Sequence, residues 1–331
     1  MAELARRLPI PERLLPARPV LLVLVAACIF LTVGSSISTL FAQLTVAGVA
    51  SGVVFGSLGL ALVLIYRATE VINFAQGEMA MACVYFAYQL MLWGLSYWAA
   101  FFSTLAIAFV FGVVIQQVVI RPVQHRSVIA VVIVTVGLFI LIDGLVEWKW
   151  GANQRFMPAP FGNQVYRLGG VPVARQQIGT IVIVLVCVLA LWAFFRFTKV
   201  GLGMRAGALR PEAARLVGVR TNALLAVGWG LAAVLGAVAG LMTEPSQYVL
   251  SPTLMQPVLL YAFAAAVLGG LESPGGALVG GIALGVFLNL IGQYWTFVGS
   301  VLQLPVAFAA LLLVLLVKPT GLFGHRSVRK V

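Results

Sequence analysis

"GLALVLIYRATEVINFAQGEMAM", residues 59–81, is an apolar run that stops at Tyr66 and Arg67, sets Asn73, Gln76 and Glu78 around Gly77, and then turns apolar again. The chain around it has 331 residues, 62% of them hydrophobic and 9% charged, with a mean hydropathy of +1.08. In such a chain a polar joint between two apolar runs reads as the bend between two membrane helices, the second interrupted near its start. Long uncharged runs cross hydrocarbon at about 1.5 Å per helical residue, and a helix satisfies its own backbone hydrogen bonds where water is absent. The runs lack the strict alternation of barrel strands. The fold class is therefore an all-α polytopic membrane protein.

Outward from the joint, apolar windows fall at 20–41, 44–66, 71–94, 97–120, 128–148, 178–197, 222–243, 257–271, 274–296 and 298–318. This gives about ten segments, or 8–10 crossings if the short ones are re-entrant. Arg6, Arg7, Arg13 and Arg18 precede the first window. That window is long for a signal peptide and lacks a clear small-residue cleavage site, so it reads as a retained span. The expected layout is an N-terminal tail 1–19, a transmembrane domain 20–318 and a tail 319–331.

With the N-terminus inside, 17 of the 21 Lys and Arg lie in cytoplasmic stretches; the other four, Lys149, Arg155, Arg167 and Arg175, share one loop, 149–177. This bias follows the positive-inside rule and puts both termini in the cytoplasm. Topology thus accounts for the net charge of +12, and no nucleic-acid partner is implied. The loop 149–177, rich in Pro, Gly, Asn and Gln, is expected on the external surface. It separates two halves of five segments, and an odd number per half makes the second run opposite to the first. A second polar joint, "TEPSQYVLSPTLMQ" at 243–256, follows window 222–243 as the first joint follows 44–66. Interrupted segments at matching places in two halves are the pattern of an inverted repeat with a substrate path at the breaks. Gly48, Gly52 and Gly56, Gly236 and Gly240, Gly276 and Gly280, and Gly281 and Gly285 recur at four-residue spacing, each set a smooth strip for close helix packing.

Chemistry of other kinds is poorly represented. No lysine sits in a GxxxxGK[ST] run, so the chain has no ATP-binding loop of its own. His125 and His325 each neighbour an arginine in predicted cytoplasmic segments, and Cys28, Cys83 and Cys187 lie in apolar runs without ligand spacing. No catalytic residue and no metal site is indicated. The segment 196–221, "RFTKVGLGMRAGALRPEAARLVGVRT", carries six basic residues and a compact helix signal. Pro211 suits the first helical position, Glu212 the positive helix end, Arg215 the other end, and Gly218 the stop. On these grounds alone it is either an interfacial connector or a docking helix for another protein.

At this point the residues resemble a family. "EAARLVG", 212–218, matches the E-A-A-x-x-x-G signature of bacterial ABC importer permeases, and residues 59–81 resemble the branched-chain amino acid permeases around a Leu-Ile-Tyr run and I-N-F-A-H-G-E. "VLGGLESPGGALVGG", 267–281, and "KPTGLFGHRSVRKV", 318–331, resemble that family's glycine-rich segment and tail. Gln76 departs from the histidine usual there. The resemblance, over residues 40 to 331, implies an inner-membrane permease subunit moving branched-chain or related amino acids into the cytoplasm. It implies a second permease subunit, two ATP-binding subunits that use ATP and Mg, and an external solute-binding protein, with no cofactor on this chain beyond contact with membrane lipid. ATPase coupling falls to Arg205, Arg210, Glu212, Ala213, Ala214, Arg215 and Gly218. Urea or short amides are alternative cargo, and a self-sufficient secondary transporter is an alternative class, although Asp143 is the only aspartate.

Within the opening stretch, Asn73 can cap an interrupted helix, Gly77 permits the turn, and Glu78 is favoured at a helix start. Asn73, Gln76, Gly77 and Glu78, with Gly269 and Gly270, are the translocation-path or helix-break candidates. Holding a break open is the first reading, and contact of Asn73, Gln76 or Glu78 with cargo the alternative. Asp143, Glu147, Glu244, Gln247, Asn289 and Gln293 are further polar residues near outer span ends, where interface anchoring or pairing with Lys149 explains Asp143 and Glu147.

Overall fold

The computed structural model describes residues 39–124, 126–162, 164–209, 214, 216, 218, 220–247, 249–295, 297–299 and 302–324. In chain order these form α1 (Thr39–Thr69), α2 (Gln76–Leu92), α3 (Tyr97–Ile115), α4 (Val128–Trp150), β1 (Val165–Leu168), β2 (Val171–Ala174), α5 (Arg175–Phe197), α6 (Lys199–Leu209), α7 (Thr221–Gln247), α8 (Met255–Gly269), α9 (Pro274–Tyr294) and α10 (Gln303–Val317). A π-turn, Gln116–Ile120, extends α3, and a 3₁₀ turn, Pro252–Leu254, precedes α8.

The protein is a helical membrane protein. Where ten windows were expected, seven of the described helices are long and apolar enough to cross a bilayer. The expected window 20–41 lies outside the described residues except for its last three, and those three open α1, a single helix of 31 residues. Window 71–94 contracts to the 17 residues of α2, which start only after the polar joint. Window 298–318 contracts to the 15 residues of α10. Helix starts follow local chemistry: the hydroxyls of Ser96, Ser127 and Ser273 accept from the amides of Ala99, Ala130 and Gly276, satisfying donors that a first turn leaves open. Ser273→Ala is expected to cost about 1 kcal/mol of stability, read as a small fall in melting temperature of the detergent-solubilised protein.

Depth in the bundle separates helices of similar hydropathy. In α1, 78% of the most apolar stretch is buried, against 22% in α4 and 17% in α5. The first is the central post; the other two turn most of their surface outward. The glycine strips explain how α1 is enclosed. A Cβ on Gly48 would stand 2.5 Å from Val286 Cα, and one on Gly52 2.6 Å from Ile282 Cα, so α9 lies backbone to backbone on α1. Gly281 and Gly285 face Gly56, Gly52 and Gly48 in return. Gly236 and Gly240 of α7 instead receive Gln76, Ala80 and Val84 of α2, and Gly276 and Gly280 receive the end of α8.

Two segments differ from expectation. The loop 149–177 folds a β-hairpin, with Val165 paired to Ala174 and Leu168 to Val171. Gly169 and Gly170, both at positive φ, supply the two-residue turn that this pairing needs. In 196–221 the described helix is α6, ahead of the expected one; Arg210, Pro211, Glu212, Ala213, Arg215 and Val217 lie outside the described residues, as do His125 and His325.

Candidate functional site

The two polar joints meet inside the bundle. At the first, Ala75 and Gln76 turn the chain into α2, and Asn73 and Gln76 are 1% and 0% exposed. The Asn73 carboxamide oxygen accepts from the Ala75 amide at 3.0 Å, and its nitrogen donates to Gln76 Oε1 at 3.2 Å. The Gln76 amide donates to the Asn73 carbonyl at 3.3 Å. Gln76 Nε2 then donates to the Ala232 carbonyl of α7 at 2.9 Å, reached across the bare backbone of Gly236. The joint is therefore stitched by side chains and anchored to the opposite half of the molecule.

The second joint is held differently. Leu250 and Arg155 exchange both backbone hydrogen bonds, at 2.8 and 2.9 Å, so the loop 149–177 clasps the entry to α8. The Arg155 side chain reaches the Trp150 carbonyl and the Tyr88 ring, and Trp150 Nε1 donates to Gln89 at 2.9 Å. The two interrupted helices start against each other: a Cβ on Gly77 would lie 3.0 Å from Leu259 Cβ and 3.4 Å from the Met255 carbonyl. Only a glycine lets α2 begin so close to α8.

Glu78, one residue on, is fully buried, and neither of its carboxyl oxygens is in a hydrogen bond of normal geometry, although the Gln256 side chain approaches it as a donor. Gln256 at the start of α8 and Asp143 of α4 are its polar neighbours. Asp143 Oδ1 and the Tyr85 hydroxyl are also buried without partners. Among the described residues no group of three or more His, Cys, Asp and Glu could hold a metal ion.

Asn73, Gln76, Gly77 and Glu78 thus gather at one place. Gly269 and Gly270 lie at the far end of α8, about 22 Å of helix away. Gly270, at φ +100°, ends α8 there, and the amides of Leu322 and Phe323 bond the carbonyls of Leu268 and Gly269 at 2.7 and 3.0 Å. Of the coupling candidates, Arg205 is exposed on α6, Ala214 is buried, and Gly218 has φ +85°; Arg210, Glu212, Ala213 and Arg215 lie outside the described residues. Asn289 ties α9 to α1, donating to Ser51 Oγ at 3.0 Å. Gln256 and Tyr85 were absent from the sequence candidates. Gln256 carried one signal, its position in the second joint.

Below the first joint a cavity of about 240 Å³ is lined by Thr69 and Val71, Gln124 and Arg126, Met204 of α6 and Asn222 of α7. Its lining runs from Thr69 and Val71, at the edge of the joint, to Met204 and Asn222, which lie before and after the E-A-A run in the chain.

The chain is similar to known proteins over most of its length. Residues 43–317 match the model of the family described as "Branched-chain amino acid transport system / permease component". The high-affinity branched-chain amino acid transport system permease protein LivH of Salmonella typhimurium is 31% identical over 305 residues, covering 88% of this chain and 98% of the relative. LivH of Escherichia coli K12 is 30% identical over the same share, and BraD of Pseudomonas aeruginosa 29% over 304 residues. With the match spanning both joints and the bundle between them, the chain belongs to the family of branched-chain amino acid transport system permeases.

Proposed function

We propose that this chain is a transmembrane permease subunit of an ABC importer that moves branched-chain or related amino acids into the cytoplasm of a bacterial cell, driven by partner ATPases. The observation that carries the reading is the family match over residues 43–317, which includes both helix breaks. ATP hydrolysis, with its Mg, resides in the partners, and a second permease subunit, two ATP-binding subunits and an external solute-binding protein complete the assembly.

The packing supports an inverted five-plus-five core. Set α1 beside α7, α2 beside α8, α3 beside α9 and α4 beside α10. The contact of α1 with α9 then has its counterpart in α3 with α7, α1 with α8 in α2 with α7, α2 with α3 in α8 with α9, and α2 with α4 in α8 with α10. The self-related pairs, α1 with α7 and α2 with α8, are also in contact, as a two-fold relation between the halves requires. The core so proposed keeps the count of ten segments, with both termini in the cytoplasm.

Mechanism follows from the two joints. Interrupted helices that start at mid-bundle give a path with water-compatible backbone at its narrowest point. The coupling segment, from Arg205 through Arg210 and Glu212–Arg215 to Gly218, receives the push of the ATPases. The cavity above it leaves room for α6 and the start of α7 to move against Thr69 and Val71. ATP biases the inward- and outward-facing packings because the ATPases bind the two with different affinity. The test is reconstitution: the purified chain alone in proteoliposomes takes up no leucine, and uptake appears only with the second permease subunit, the ATPases, the binding protein and ATP. Ion-driven uptake by the chain alone overturns the reading.

A further inference from the structure

We propose that Glu78 receives the ammonium group of the cargo in passage, with Asp143 and Gln256 completing the cradle, on the reading given above that the cargo is an amino acid. The first reason is that the joint does not need Glu78. Asn73 and Gln76 close it with four hydrogen bonds among themselves, Ala75 and Ala232, and Glu78 takes part in none. The second is that Glu78 is fully enclosed with neither oxygen in a hydrogen bond of normal geometry. A buried carboxyl without such bonds lowers stability, so a fold retains one where function uses it.

The chemistry of the cradle selects the ligand. Two carboxyls repel an anion. An ammonium offers three N–H donors, and the carboxyls of Glu78 on α2 and Asp143 on α4 offer the acceptors, beside the Gln256 side chain of α8. The Tyr85 hydroxyl, seven residues along α2 from Glu78 and therefore on the same helix face, is likewise buried and unpartnered, and it leads from the cradle toward Trp150, whose ring lies 5.3 Å away. Arg155, one of the cations of the loop 149–177, is held by the Trp150 carbonyl and the Tyr88 hydroxyl. Glu78 is enclosed in this conformation while Asp143 and Gln256 are half-buried, so cargo reaches Glu78 as α2 and α4 part.

The complete transporter is assembled in proteoliposomes with Glu78→Gln, and with Glu78→Asp as the conservative variant. Glu78→Gln is expected to assemble normally and melt at or above the wild-type temperature, while leucine uptake falls about 10-fold or more, the loss of a charge-assisted bond; Glu78→Asp recovers part of it. Wild-type uptake by Glu78→Gln overturns the proposal, and so does failure of this variant to assemble, which assigns Glu78 to the fold. If the wild-type transporter moves no leucine, the cargo reading fails separately. The cradle is then tested by carbodiimide labelling of Glu78 in the same assembly. Protection by isobutylammonium supports it; no protection, or equal protection by sodium, overturns it.

Discussion

Gly52→Leu yields no monodisperse permease. A Cβ at position 52 would meet Ile282 Cα at 2.6 Å and the Ile282 carbonyl at 3.0 Å, and both are backbone, which cannot rotate aside as a side chain can. Helix α9 cannot retreat, because Gly281 and Gly285 rest on α1 at adjacent turns and Asn289 ties it to Ser51. Membrane helices associate through close packing rather than exclusion of water, so separating this pair removes the main contact of the central helix. The cost exceeds the ~3 kcal/mol typical of overpacking. Size-exclusion chromatography in detergent reads the result directly. The matched control is Gly137→Leu on α4, where an added Cβ meets nothing within 4 Å; its elution profile should match wild type.

Gln76→Leu is the second substitution with a large effect, and it acts through the joint. Leucine removes the donor to Ala232, 156 positions away in the chain, and the acceptor of the Asn73 carboxamide. Asn73, 1% exposed, then has only Met79 Sδ left for its nitrogen, a weak acceptor. An orphaned buried donor costs about 1–3 kcal/mol, and with the lost tie between halves the melting temperature should fall by several degrees. Uptake in the reconstituted assembly should fall further than stability accounts for, because the break no longer holds its shape. Gln76→Glu, which keeps an acceptor for Asn73 but loses the donor to Ala232, separates the two contributions. A variant Gln76→Leu with wild-type melting and uptake removes the joint from the mechanism.

Much of this was legible along the chain because it depends on residues close in sequence. Apolar runs and caps mark helices; the turn at 72–78 follows from Asn73 and its polar neighbours, whereas Gly77, expected to permit the turn, lies inside α2 at an ordinary φ and serves the close approach to α8. The hairpin at 165–174 was legible too, since Gly169-Gly170 between two short apolar-rich runs is a turn signal; reading that segment only as a loop passed over it. The contraction of window 71–94 to Gln76–Leu92 shows the limit of hydropathy alone: Val71 and Ile72 are apolar, but the Asn73 bonds to Ala75 and Gln76 reset where the helix begins.

The sequence by itself determined a bilayer-spanning helical chain, the joint at 67–78, and the glycine strips, since hydropathy, backbone freedom and helical periodicity are local properties. Tertiary structure alone decided that the strip on α1 meets α9 while the strip on α7 meets α2, and that Gln76 finds Ala232. It also decided that Glu78 is left without a hydrogen bond of normal geometry between Gln256 and Asp143. Those outcomes depend on which helices pack together across more than a hundred residues of chain, and no spacing within one segment encodes its neighbour.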